Sequence, residues 1–173
     1  MAAVVAASRR CAMKNDKAQL AGQFSISDLL EEPEYVSPLR KADCSPISDG
    51  ASAMIICTRS KAEEWQVPFV RLSGIDHRIE THNLGMRDLT TSESTRLVAE
   101  TLSIHHSGLD VAELYAPFSH QQIILEKALE LQAETEINPS GGVLAGNLMM
   151  ASGLSRVGEV FNRIVSGKAV RGL

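Results

Sequence analysis

The sequence predicts an α/β protein with a largely parallel or mixed sheet, and three observations carry that expectation. Short apolar runs bounded by turn residues alternate along the chain with segments of helical periodicity. The composition, 44% hydrophobic and 22% charged over 173 residues, is that of a globular chain. No internal repeat or low-complexity tract interrupts the alternation. A domain of this length buries roughly 70% of the surface its unfolded chain exposes, so it requires neither disulfide nor structural metal.

Taken in order, the first fifteen residues, MAAVVAASRRCAMKN, read as a helix with Val4, Val5, Arg9 and Met13 on a mixed face. A secretory signal is not expected, because the apolar stretch is short and interrupted. Ser25-Ile26-Ser27-Asp28 has the form of a helix N-terminus, and Pro33 and Pro38 bracket an extended segment. The turn-rich stretch Asp43 to Gly50 feeds Ala51 to Cys57, whose continuous small and apolar character suits a fully buried strand. Ser60 to Trp65 makes a short helix, Pro68 to Ile75 a second strand, and Asp76 to Leu89 a long polar loop. Thr90-Thr91-Ser92-Glu93 reads as a capping box opening a helix that presents Leu97, Val98, Thr101 and Leu102. Asp110 to Tyr115 is a strand that stops at Ala116-Pro117, and Ser119 with Gln122 caps a helix from His120 to Leu131. Ile137 to Gly142 is a turn before a long helix from about Met149 to Ser166. Gly153 and Gly158 inside that helix read as points of close backbone packing.

Composition also excludes function classes. A net charge of −4, with basic residues scattered singly or in pairs, gives no footprint for nucleic acid, and 4% aromatic content removes stacking platforms. No apolar run approaches the length of a membrane span. Cys11, Cys44 and Cys57 have no metal-ligand spacing and cannot all pair, so no metal is expected; free thiols point to a reducing compartment, the cytoplasm by default.

In an α/β fold, ligands collect at the carboxyl ends of strands, which singles out two junctions. The first, Tyr115 to His120, offers Tyr115, Ser119 and His120 beside a proline-containing turn; a positioned Tyr or His can move a proton at an α-carbon or a β-hydroxyl. The alternative is that Tyr115 and Phe118 plug the core while His120 is solvated. The second, Asn138 to Asn147, offers Gly141-Gly142, where a substrate or another backbone can approach closely, and Asn147, whose amide can donate to an oxyanion. His77, Arg78, His82 and Arg87 in the long loop are CoA-phosphate candidates or solvated side chains. His105-His106 read as favourable charges at a helix C-terminus, and Trp65 as a packing residue.

Three stretches, Asp43-Cys44-Ser45-Pro46-Ile47-Ser48-Asp49-Gly50-Ala51-Ser52-Ala53, Ala112-Glu113-Leu114-Tyr115-Ala116-Pro117-Phe118-Ser119 and Asn138-Pro139-Ser140-Gly141-Gly142, occur in that order. Together they resemble the thiolase superfamily, in its sterol-carrier-protein-type thiolase and lipid-transfer-protein branch, over nearly the whole chain. The resemblance implies a layered α-β-α fold with a mixed sheet. It assigns 1–66 to the end of a first thiolase half and 67–173 to a truncated second half. Family members condense or cleave acyl-CoA thioesters with a nucleophilic Cys, an Asn-Glu or His-Asp motif, a Gly-His-Pro motif and a second Cys. Here Tyr115-Ala116 stands at the carboxylate-bearing position, Gly146-Asn147-Leu148 replaces Gly-His-Pro, and none of the three Cys has the surroundings of a catalytic one.

The resemblance therefore implies three alternatives. The chain is part of a thiolase-like acyltransferase whose nucleophile lies elsewhere; it is a thiolase-fold retro-aldolase on a β-hydroxyacyl-CoA with Tyr115 as acid-base; or it is a non-catalytic module that binds acyl-CoA or a partner. Catalysis falls to Tyr115, His120 and Asn147, and substrate binding to Ser140, Gly141, Gly142 and Phe118. Coenzyme A enters as the substrate thioester with no separate cofactor. The implied partners are acyl-CoA, a homodimer or higher oligomer, and an OB-fold subunit.

Overall fold

The computed structural model describes residues 1–104 and 108–173; His105 and His106 lie outside the described residues. The chain begins with helix α1, Ala2–Ala12, whose alanines favour the helix and whose Val5, Ala6, Ser8, Arg9 and Ala12 form its buried face. Arg9 therefore points inward, where its guanidinium donates to the carbonyl of Leu144. Helix α2, Ile26–Glu31, starts where expected, with Ser25 Oγ accepting the Asp28 N–H at 3.0 Å. Val5, Ala6, Leu29 and Leu144 pack these elements into one cluster. Strands β1, Glu34–Val36, and β2, Leu39–Arg40, form an antiparallel pair around the Pro38 turn.

The middle of the chain is sparsely packed. Helix α3, Arg59–Trp65, is capped by Thr58, whose side chain accepts the Lys61 N–H. Trp65, read as a packing residue, is instead half-exposed, with Lys61 Nζ 5.6 Å above its ring. Helix α4, Glu93–Thr101, does not use the expected capping box. Ser92 makes no cap bond, and the Ser94 N–H is taken at 2.8 Å by Glu80 Oε1 from the preceding loop. A carboxylate held by the loop satisfies the helix's unpaired N–H and complements its dipole, a partner that local spacing does not reveal.

The second half builds the main core. Strand β3, Val111–Ala112, runs parallel to β4, Glu136–Ile137, a two-residue strand within a region read as a turn. On its other side β3 is flanked by the chain end: Glu113 N–H bonds Leu173 O at 2.8 Å, and Leu173 N–H bonds Val111 O at 3.0 Å. Helix α5, Ser119–Leu129, begins one residue earlier than expected. Gln121 rather than Gln122 therefore reaches back to the Phe118 N–H, and Gln122 turns into the protein. Helix α6, Gly142–Ala145, and helix α7, Ser152–Val165, complete the chain. Ala99, Leu109, Ala112, Leu114 and Leu129 form the core between α4, α5 and β3, and Val160 of α7 packs on Val111.

Two expected strands are absent. Ala51 to Cys57 and Pro68 to Ile75 make no strand, and Ile55 and Ile56 are 79% and 76% exposed. The reason is pairing: β3 is bonded on both sides by β4 and residues 171–173, and no neighbour among the described residues offers these runs a ladder. Asp110 to Tyr115 contributes only two laddered residues, because the Leu114 N–H bonds a side chain instead. Gly153 and Gly158 do not mediate close packing, since a Cβ at either would meet nothing within 4 Å. No described helix is long and apolar enough to cross a membrane.

Candidate functional site

The site is built where β3 ends. Glu113, the residue after β3, carries a carboxylate with no solvent exposure. Its Oε1 accepts the Ser140 N–H at 2.9 Å, and its Oε2 accepts the Ser140 hydroxyl at 2.8 Å and Arg156 Nη1, from α7, at 2.8 Å. The same Nη1 also donates to Ser140 Oγ at 2.6 Å, and the Gly142 N–H donates to that oxygen at 3.1 Å. Burial pushes the Glu113 carboxyl up, while the Arg156 charge and the two Ser140 bonds pull it back.

The turn after β4 is shaped for this contact. Asn138 has φ 47°, a left-handed conformation Asn tolerates; its Oδ1 accepts the Leu114 N–H at 2.7 Å and its Nδ2 donates to Gln122 at 2.9 Å. Gly141 and Gly142 have φ 96° and 62°. A Cβ on Gly141 would lie 2.7 Å from the Cβ atoms of Ala12 and Ala145, and one on Gly142 2.9 Å from Asn138 Cγ. The pair therefore admits another part of the backbone: α1 lies against the turn, and Ser8 Oγ donates to Gly141 O at 2.6 Å.

The first of the three sequence stretches joins the same assembly. Ser119 Oγ donates to Asp43 Oδ1 at 2.5 Å in a buried contact, and the Ser45 N–H bonds Pro117 O at 2.8 Å. Asn147 is bound on all sides: its N–H donates to Ser48 Oγ, its Nδ2 to Ser45 Oγ, both at 3.0 Å, and its Oδ1 accepts from Met149 N and Ser152 Oγ. Residues 43–48, 113–119 and 138–147 are thus pinned to one another by buried and part-buried polar bonds.

Beside this assembly lies a cavity of about 590 Å³ walled by Lys17, Ser48, Asp49, Ser140, Gly142 and Arg156, among others. That volume suits a small-molecule site. Of the sequence-derived candidates, Ser140 and Gly142 line it, Gly141 fixes the turn behind it, and Asn147 ties its rim to the 45–48 segment. Tyr115, Phe118 and His120 do not line it. They form a second group at the start of α5, with Tyr115 45% exposed and the His120 ring stacked on Phe118 at 5.9 Å between centroids. Tyr115 is therefore not a core plug, and His120 Nδ1 is buried without an acceptor or donor among the described residues.

None of the three Cys lines the cavity. Burial and the Asp43 charge push the Cys44 thiol up, which keeps it protonated and poorly nucleophilic. Among the described residues no cluster of three or more His, Cys, Asp or Glu is placed to hold a metal. Arg87 is paired with Glu80 at 2.9 Å and Arg78 with Asp76 at 3.0 Å, so both loop arginines already serve carboxylates. Sequence reasoning passed over Glu113 and Arg156. The available signal was a carboxylate inside an apolar strand run, which demands a buried partner.

No family model matches the chain. It is similar to an acetyl-CoA acetyltransferase of Methanocaldococcus jannaschii, 28% identical over 92% of this chain and 48% of that protein. It is also similar to the benzoylsuccinyl-CoA thiolase subunit BbsB of Thauera aromatica, 24% identical over 91% of this chain and 47% of that one. A third relative is human sterol carrier protein 2, 22% identical over 86% of this chain and 32% of that protein. Among solved structures, a chain described as "Ltp2-ChsH2(DUF35) aldolase" superposes with a TM-score of 0.71 at 21% identity, covering 98% of this chain and 50% of that one. The chain spans about half the length, or less, of the curated relatives it matches.

Proposed function

We propose that this partial thiolase-like chain, α/β in fold, is part of a protein that binds acyl-CoA thioesters and makes or breaks a carbon–carbon bond in them. The observation that carries the reading is the cavity at the Ser140-Gly141-Gly142 turn, where the three stretches resembling the thiolase pattern are pinned together. Its walls mix hydroxyls, amides and both signs of charge with apolar Ile47 and Leu148, which suits an amide- and phosphate-bearing thioester better than a purely apolar ligand. Coenzyme A is the substrate's carrier in this reading, and no further cofactor is invoked. The compartment we propose is the cytoplasm.

A condensation through a thiolate needs a nucleophile from outside this cavity, since no Cys lines it. The exposed apolar runs Ala51 to Cys57 and Val67 to Ile79 favour an assembly, a second copy or an OB-fold subunit, in which that group is supplied. A retro-aldol step is the second reading, favoured by the exposed Tyr115 phenol. In it the β-hydroxyl proton passes to the Tyr115 oxygen as the Cα–Cβ bond breaks to release an aldehyde or ketone, and Tyr115 returns a proton to Cα of the enolate to give the shortened thioester.

The test is titration of the full chain with acetyl-CoA, followed by product analysis with a β-ketoacyl-CoA and with a β-hydroxyacyl-CoA, for wild type and Tyr115→Phe. Saturable binding supports the reading. A carbonyl product from the β-hydroxyacyl-CoA that Tyr115→Phe abolishes selects the retro-aldol step. Absence of acyl-CoA binding by chain and assembly alike contradicts both.

A further inference from the structure

The Glu113–Ser140–Arg156 cluster is the only ion pair among the described residues in which both side chains are nine-tenths or more buried. It draws one residue from the end of β3, one from the glycine turn and one from α7, and Ser140 and Arg156 stand on the cavity wall. Ser140 Oγ gives its proton to Glu113 and accepts from both Arg156 Nη1 and the Gly142 N–H, so neither lone pair is available for attack. Ser140 is therefore not poised as a nucleophile; it is the pivot through which Arg156 acts on the turn. Arg156 Nε, meanwhile, is buried with no acceptor among the described residues.

We propose that Arg156 is a positioning residue for the cavity: anchored on Glu113, it holds Ser140 and, through it, the Gly142 N–H, and so sets the glycine turn that walls the ligand. The identity of the ligand rests on the acyl-CoA reading, and the positioning role does not. Both bonds leave the same Nη1, and a lysine at 156 carries the charge but ends one bond short of that nitrogen, so its ammonium cannot keep both contacts, to Glu113 and to Ser140, at their present lengths. Replacing both charges at once, Glu113→Gln with Arg156→Met, removes the buried ion pair without leaving either charge alone.

The experiment measures two properties of the full chain as wild type, Arg156→Lys and the double variant: amide exchange over residues 138–145, and affinity for acetyl-CoA. In variants with a wild-type circular dichroism spectrum, the turn amides should exchange about tenfold faster and the affinity should fall about tenfold. The lysine variant should lie between wild type and double variant. If the double variant fails to fold, Arg156→Lys alone decides. Folded variants whose turn exchanges as slowly as wild type overturn the proposal, and so does wild-type affinity beside an accelerated turn. If wild type itself binds no acetyl-CoA, the acyl-CoA reading fails while the exchange measurement still decides the role of Arg156.

Discussion

Residues 109–147 and residues 51–79 carry similar apolar runs, yet they meet opposite fates. Val111 and Ala112 are completely buried, with β4 on one side and the chain end on the other. Ile55 and Ile56 lie more than three-quarters exposed, and the 51–57 backbone makes no hydrogen bond among the described residues. Apolar content is not what separates them. The first region carries polar side chains that reach across the fold: Glu113 to Arg156, Asn138 to Leu114 and Gln122, Ser119 to Asp43. Burying backbone requires partners for its N–H and C=O groups; the first region has them, and in the second only helix α3 does, not the apolar runs on either side of it.

Breaking the strongest of these pins should have the largest effect. Arg156→Met leaves Glu113 buried and uncompensated and should cost about 3–5 kcal/mol, measured by urea unfolding; a loss below 1 kcal/mol would mean the pair is not closed in solution. Asn138→Ala leaves the buried Leu114 N–H without its acceptor and should cost about 1–3 kcal/mol. Gly142→Ala, at φ 62° and with Asn138 Cγ 2.9 Å from the new Cβ, should cost about 1–3 kcal/mol by the same measurement.

Glu80→Gln weakens the cap that the loop supplies to α4 and should cost about 1 kcal/mol. The Ser94 bonds and Arg87 hold the Glu80 carboxyl down at about 2 from its ordinary 4.5. A depressed acid contributes stability that is fully present above 4.5 and is lost as pH falls toward 2. The wild type should therefore lose stability over that window relative to Glu80→Gln, seen as converging melting temperatures. At the small end, Ile55→Ser with Ile56→Ser should change stability by less than about 0.5 kcal/mol, while lowering self-association in sedimentation.

Much of the fold was legible in the chain because its signals are local. The Ser25 cap, the Pro33 and Pro38 boundaries, α1, α3 and the long last helix all stand close to their expected positions. The failures are non-local. The 51–57 and 68–75 runs have strand composition, but a strand needs a neighbour that composition cannot name. Thr90 to Glu93 had the pattern of a cap, yet Glu80 arrived from fourteen residues before Ser94. At the site, the Ser140-Gly141-Gly142 turn was marked by its residue types, whereas Arg156 sits in an ordinary amphipathic helix and becomes visible only once α7 lies over Glu113.

The most direct test of the central claim, that three separated stretches are pinned into one site while the 51–57 and 68–75 runs are left unpaired, is residue-resolved hydrogen exchange on the full chain. The amides of Leu114, Asn138, Ser140 and Asn147, each bonded to a buried partner or across the fold, should be protected, and those of 51–57 and 68–75 should exchange at close to unprotected rates. Equal protection in both regions, or fast exchange at Ser140 and Asn147, would contradict it.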